Sequence, residues 1–131
     1  MKKVETKMEN TVKMNNTENH NLKILITNEI RSIYIPINVK GYYMLRRAII
    51  LCINDSSLLD SVTKLLYPVI AKEFDTDYRA VERGMRYAIK SAWDSGDKEL
   101  LKSYFGVYKR RPSNTKVIAT ICDNVKLKLN K

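Results

Sequence analysis

The sequence predicts an all-α protein, a bundle of about six helices. In each segment after residue 21, apolar residues recur at the three- and four-residue spacing of an amphipathic helix. No segment shows the apolar and polar alternation of a half-buried strand. Gly, Pro and an Asn-Asp-Ser cluster separate the helical segments. At 131 residues, of which 44% are hydrophobic, the chain is long enough for one domain with a buried core.

The N-terminal residues differ in composition from the remainder. Residues 1–20 are rich in Lys, Glu, Asn and Thr and show no evident cap signal, so we expect a flexible polar tail followed by a domain at 21–131. The first helix is predicted at about Leu22 to Ile33, with an inner face that is apolar except for Glu29. His20, the only histidine, has no Cys or His partner at metal-ligand spacing.

The middle of the chain is strongly apolar. A second helix is predicted at about Lys40 to Ile53, and Asn54-Asp55-Ser56 supplies its end and the next N-cap. Pro68 interrupts the following segment, and because a proline inside a helix costs about 3 kcal/mol, we expect either a kink or a new helix that starts at Tyr67. The apolar positions of this segment are Leu58, Leu59, Val62, Leu65, Leu66, Val69, Ile70 and Phe74.

The segment from Asp75 to Gly96 has two sharply different faces when it is placed on a helix. One face carries the cations Arg79, Arg83, Arg86 and Lys90. The other carries Val81, Met85, Ala88, Ile89 and Ala92, flanked by Tyr78 and Trp93. This pattern is typical of a helix that packs on a core with one face and binds a polyanion with the other, although a solvated basic surface gives the same pattern.

Two more helices complete the predicted bundle. Ser95-Gly96-Asp97 supplies a stop and an N-cap for a short helix at 97–105, which ends at Gly106. A basic loop punctuated by Pro112 leads to a last helix at about Asn114 to Leu127.

The spacing from Tyr67 to Tyr87 predicts a helix-turn-helix, in a unit that spans approximately 67–95. Ala71 is the small residue needed where the two helices cross, and Asp75-Thr76-Asp77 forms the turn, with Asp75 tolerating the left-handed conformation. Thr76 or Asp77 can cap the second helix. The apolar positions around the turn are Ile70, Phe74, Val81 and Met85.

Composition narrows the functional classes. A net charge of +10 favours nucleic acid, an anionic membrane or an acidic partner. No run reaches membrane-spanning length and no signal region is evident, and Cys52 and Cys122 lie in apolar helical patterns. We therefore expect a cytoplasmic protein with reduced cysteines. Carboxylates are dispersed and no Gly-rich phosphate loop is present, so we expect no enzyme, no metal and no cofactor.

Together, the helix-turn-helix and the cationic face predict binding of double-stranded DNA through the major groove. We assign base readout to Glu82, Arg83, Arg79 and Arg86, with Arg83 donating to guanine and Glu82 accepting from cytosine. The alternative for Glu82 is a salt bridge to Arg79 or Arg86. Phosphate contacts are assigned to Lys90, Tyr87, Lys109, Arg110, Arg111 and Lys116.

These residues resemble a known family, the C-terminal effector domain of the stage-zero sporulation protein A of endospore-forming Firmicutes. The resemblance covers about residues 22–129 and is carried by Lys40-Gly41-Tyr42, by LLYPVIAK at 65–72, by Val81-Glu82-Arg83 with Arg86, and by AIKSAW at 88–93. It implies a six-helix domain that recognises a TGTCGAA-type box, often as a head-to-tail dimer on tandem boxes, in the bacterial nucleoid.

The chain departs from this family in two respects. The family usually has Arg directly before the Val of the VER motif, whereas this chain has Ala80 there and Arg79 one residue earlier. Only about twenty residues with no strand pattern come before the effector region in this sequence, and we expect a stand-alone effector without a receiver domain or phosphorylation control. The displaced arginine favours an alternative function, a protein that antagonises RNA polymerase or a sigma factor, for example through 97–105. Nonspecific nucleic-acid binding and a membrane-surface helix are further alternatives.

Overall fold

All regular structure in residues 15–106 and 110–130, the part of the chain that the computed structural model describes, is helical. The all-α prediction is therefore confirmed, and these residues form six α-helices without a strand. The helices are α1 Asn16–Ser32, α2 Lys40–Asn54, α3 Tyr67–Glu73, α4 Tyr78–Ser95, α5 Lys98–Phe105 and α6 Asn114–Leu129. A 3₁₀ helix, Ser56–Ser61, and a π-helical turn, Val62–Leu66, connect α2 to α3.

The first helix begins earlier than predicted. Asn15 and Glu18 form a capping box, in which the Glu18 N–H donates to Asn15 Oδ1 at 2.8 Å and the Asn15 N–H donates to Glu18 Oε1 at 2.9 Å. This pair satisfies two N–H groups that would otherwise lack acceptors, so α1 extends back to Asn16. The prediction of a start near Leu22 missed this cap signal, and residues 16–20 belong to the helix.

Around Pro68 the sequence allowed either a kink or a new helix, and the structure has a new helix. A new α-helix starts at Tyr67, with Pro68 in its first turn, where a missing N–H costs little. Leu65 and Val69, two of the apolar positions of this segment, are exposed. The preceding residues wind as 3₁₀ and π helices, whose rotation per residue differs from that of an α-helix, and a stripe drawn at 100° per residue does not hold across them.

The core forms around α2, which contacts α1, α4 and α6. The crossing of α2 and α4 is very close, because a Cβ placed on Gly41 would lie 2.1 Å from the Gly84 carbonyl oxygen and 2.8 Å from Ala88 Cβ. Only a residue without a side chain allows this approach. The two backbones therefore touch, and this contact fixes where α4 lies on the rest of the domain.

A buried carboxylate joins three helices on the other side of the core. Glu29 of α1 is 5% exposed, and it accepts a hydrogen bond from the Tyr104 hydroxyl at 2.7 Å and pairs with the Lys128 ammonium. Burial, followed by the hydrogen bond to Glu29, raises the pKa of Tyr104. These partners explain how a carboxylate occupies the otherwise apolar inner face of α1.

Two other sequence expectations concern the core and the membrane. Cys52 and Cys122 are buried and free, as predicted. In the described ranges, no helix combines the length and apolar character needed to cross a membrane.

Candidate nucleic-acid interface

The predicted helix-turn-helix is present as α3, a four-residue turn and α4. The Thr76 N–H donates to the Ala71 carbonyl at 2.8 Å, which folds the turn back onto α3. Asp75 has a φ of 55°, the left-handed conformation expected for it. Asp77 caps α4 by accepting from the Ala80 N–H at 2.8 Å, and its negative charge suits the positive end of the helix dipole.

The two faces of α4 are those that the sequence predicts. The five apolar residues of its inner face, Val81, Met85, Ala88, Ile89 and Ala92, are all buried. Its outer face exposes Arg79, Arg83, Arg86, Tyr87 and Lys90. The domain therefore presents a row of cations, with one exposed tyrosine hydroxyl among them, on the second helix of a helix-turn-helix.

Two of the four cations already have anionic partners on α4. Arg86 pairs with Glu82 four residues earlier, which is one of the two salt bridges considered for this carboxylate. Lys90 Nζ lies 2.6 Å from Asp94 Oδ2, and this hydrogen bond lowers the pKa of Asp94. Exposed pairs at this spacing contribute little to stability, because water and salt screen the two charges. Phosphates or bases can therefore replace these carboxylates at small cost.

The other two cations differ from this pair. The Arg79 guanidinium lies 5.7 Å from the centre of the Tyr78 ring, in a cation–π contact at the start of α4. Among residues 15–106 and 110–130, the Arg83 guanidinium has neither an ion-pair nor a hydrogen-bond partner. Among the described residues, the Arg83 guanidinium is thus the cation of this face that has no intramolecular contact to lose before it could bind an anion or a base.

Some of the cations assigned from the loop and from the start of α6 lie at this face. Arg110 and Arg111 line a groove together with Arg86 and Glu82, so they extend the cationic surface beyond α4. Lys116 is exposed in the first turn of α6 and does not line the groove. Lys109 lies outside the described residues.

Asn114 is a residue of this interface that the sequence analysis did not identify. Its side-chain amide donates to the Glu82 carbonyl oxygen at 3.0 Å and to the Tyr67 hydroxyl oxygen at 3.1 Å. It therefore links α6 to both helices of the helix-turn-helix. The sequence shows only an asparagine after a Ser N-cap, a position at which most asparagines are exposed, so no local signal marks this contact.

A helix-turn-helix whose second helix packs on the core with one face and exposes cations on the other is typical of the class of helix-turn-helix DNA-binding proteins. Residues 26–125 match the family model described as "Sporulation initiation factor Spo0A C terminal". The match covers most of the chain, and the chain belongs to this family. It is therefore a DNA-binding effector domain connected with transcription regulation and sporulation.

Proposed function

We propose that this protein is a sequence-specific transcription regulator that recognises a TGTCGAA-type box, with α4 in the major groove. The observation that carries the proposal is the outer face of α4, where Arg83 is exposed and unpaired among the described residues beside Glu82. An α-helix fits the major groove, and its N-terminal half reaches the base edges. Glu82 and Arg83 lie in the second turn of an 18-residue helix, within that half.

Each base-reading residue has a specific role in this proposal. Arg83 donates two parallel hydrogen bonds to the O6 and N7 atoms of a guanine. Glu82 accepts from a cytosine N4 amine and leaves its pair with Arg86 to do so. Arg86 is then available to bind a neighbouring base or phosphate. Arg79, in the first turn of α4, contacts a base at the N-terminal end of that helix. A carboxylate near phosphates is repelled unless it pairs with a base, which favours sequence recognition over charge neutralisation alone.

The phosphate contacts in this proposal orient the domain without adding sequence preference. Lys90 and Tyr87 contact the backbone beside the groove that α4 enters. The loop and α6 cations contact the flanking backbone; these are Lys109, Arg110, Arg111 and Lys116. On tandem boxes, two copies bind head to tail, so a duplex with two boxes is expected to bind more cooperatively than a duplex with one.

The first experiment measures binding of the purified chain to a labelled duplex with one TGTCGAA-type box and to a scrambled duplex. Near-physiological salt is used, because affinity for DNA depends steeply on salt. No phosphate donor is added, so that binding reports on the chain without phosphorylation. A preference of about a thousandfold is expected for a specific regulator. Equal weak affinity for both duplexes contradicts the proposed box recognition.

A second candidate function is antagonism of RNA polymerase or a sigma factor. Ala80 favours it, because the family's usual arginine is missing there and one helical residue turns a side chain by about 100°. The Arg79 guanidinium contacts the Tyr78 ring at the start of α4. Tight binding to a sigma factor, together with no box preference, supports this candidate over the first.

A further inference from the structure

The side-chain amide of Asn114 lies where three elements of the interface meet. Asn114 is the first residue of α6, Tyr67 is the first residue of α3, and Glu82 lies in the second turn of α4. The two hydrogen bonds from Asn114 reach the Tyr67 hydroxyl and the Glu82 carbonyl. Asn114 is 8% exposed, so water competes little for these bonds.

The Gly41–Gly84 approach fixes where α4 crosses α2, and the contact at Glu82 differs in kind from the apolar contacts that hold the rest of α4. Val81 and Met85 bury apolar side chains, and apolar burial is not directional, so it tolerates a small rotation or slide of the helix. A hydrogen bond weakens steeply when its angle changes. The bond from Asn114 reaches the main chain at Glu82, directly before Arg83. Together with the glycine crossing, it therefore restrains the rotation and the height of α4 at the two residues proposed for base readout.

We propose that Asn114 is a positioning residue for base recognition, which orients Glu82 and Arg83 through the Glu82 main chain without contacting DNA. The inference rests on the proposed function of these two residues. Bidentate base contacts tolerate deviations of only about 0.5 Å and 10–20°. A directional hydrogen bond at this point supplies that accuracy. The outer face of α4 cannot supply it, because the cations on that face are exposed to solvent.

A purely structural role for Asn114 predicts a different result from a positioning role. Loss of stability lowers the folded fraction, and this lowers the affinity for every duplex by the same factor. The ratio of affinities for box and scrambled duplexes is then unchanged. A shift in the orientation of α4 changes that ratio, because only the box affinity depends on base contacts. The ratio is therefore the measurement that separates the two roles.

The test compares Asn114→Ala with Val125→Ala, both in α6. Val125 is fully buried near the far end of the helix, so its truncation destabilises the core without touching the Glu82 contact. We expect Asn114→Ala to lower the box-to-scrambled ratio by about tenfold, the loss of part of one bidentate contact. Val125→Ala is expected to lower stability and to leave the ratio at its wild-type value. Circular dichroism verifies that each variant is folded.

Asn114→Asp is a second variant, whose side chain has the same shape as that of asparagine. Its carboxylate cannot donate to the Glu82 carbonyl, so it is also expected to lower the ratio. A wild-type ratio in both Asn114 variants overturns the positioning role alone. A ratio that falls equally in Val125→Ala also overturns it. A wild-type chain with no box preference overturns the proposed function, and this inference with it.

Discussion

Arg83 combines exposure with the absence of an intramolecular ion pair among the described residues, and this makes it the most informative single residue of the interface. Arg83→Lys keeps the positive charge but loses the planar group that donates to two guanine atoms at once. We expect box affinity to fall by about tenfold or more. Affinity for a scrambled duplex is expected to remain unchanged. Fluorescence anisotropy with both duplexes measures the two effects separately.

An equal fall in both affinities for Arg83→Lys would place Arg83 at a phosphate. This outcome would contradict its role in base recognition while leaving DNA binding itself intact.

Gly41 and Gly84 face each other across the α2–α4 crossing, yet the same substitution is expected to affect them differently. In Gly41→Ala, the added methyl group meets the Gly84 carbonyl and Ala88, which are held in helices and cannot move aside. We expect a loss of about 3 kcal/mol in the free energy of unfolding, typical of severe overpacking. Urea denaturation followed by circular dichroism measures it.

Gly84→Ala is the matched control. The nearest atom to its added methyl group is Met44 Sδ at 3.2 Å, the end region of a flexible side chain that can shift. Alanine also favours a helix interior over glycine by about 1 kcal/mol. Stability is therefore expected to remain within about 1 kcal/mol of wild type. Equal destabilisation by both substitutions would contradict the geometry of this crossing.

At the scale of elements, the contact between α1, α5 and α6 depends on Glu29 and on the hydroxyl of Tyr104. Tyr104→Phe removes one of the two partners that the buried Glu29 carboxylate has among the described residues. We expect a loss of about 2 kcal/mol in the free energy of unfolding at neutral pH, the scale of a hydrogen bond to a charged group. Thermal or urea unfolding of both proteins gives the difference.

The contribution of Tyr104 also depends on pH. Its pKa in the folded protein is raised by burial above that of an unfolded tyrosine, which is about 10. Below that pH the hydroxyl is protonated in both states, and the stabilisation is fully present. Above it the unfolded chain ionises first, so stability falls as pH rises. The difference between wild type and Tyr104→Phe is therefore expected to narrow above about pH 10. A difference that stays constant to pH 11 and beyond, about one unit above the reference value, contradicts this.

In the helix-turn-helix, the faces of α4 and the position of α4 on the domain have different origins. The apolar face of α4 was predicted residue by residue, because periodicity along one helix determines which side chains share a face. Its place on the domain depends on the Gly41–Gly84 contact with α2, and the periodicity of α4 carries no information about that contact.

At the scale of the whole molecule, a net charge of +10 predicts DNA affinity that falls steeply with salt. Each phosphate that a cation neutralises contributes about −0.9 to the slope of log affinity against log salt. We expect Lys90→Ala to make the slope shallower by about 0.9 and to lower the affinity for box and scrambled duplexes equally. Titrations at four or more salt concentrations give the slope, in the manner of any counterion-release analysis.

Lys23→Ala is the control for charge alone. Lys23 is an exposed lysine of α1, a helix that packs on α2 and α6. Lys23→Ala changes net charge by the same amount as Lys90→Ala, but Lys23 is not among the residues to which a DNA contact is assigned. A slope change of the same size in both variants would mean that overall charge, and no particular contact with Lys90, governs binding.

The sequence by itself determined the local features of this protein. The fold class, the interruption of the helix at Pro68, the left-handed turn at Asp75 and the two faces of α4 follow from residues close together in the chain. Spacing, capping and proline chemistry act over one or two helical turns, and these can be analysed without a partner. The capping box at Asn15 was also local, and its signal was missed.

Tertiary structure decided the contacts that join distant residues. Tyr104 reaches Glu29 across 75 residues, and Asn114 reaches Glu82 across 32. The close approach of Gly41 to Gly84 is of the same kind. Such pairs depend on how the helices pack, and packing is set by the sum of many weakly directional apolar contacts that no single segment encodes. The sequence therefore predicted which residues form the exposed cationic face of α4, whereas the tertiary structure showed what holds that face in place.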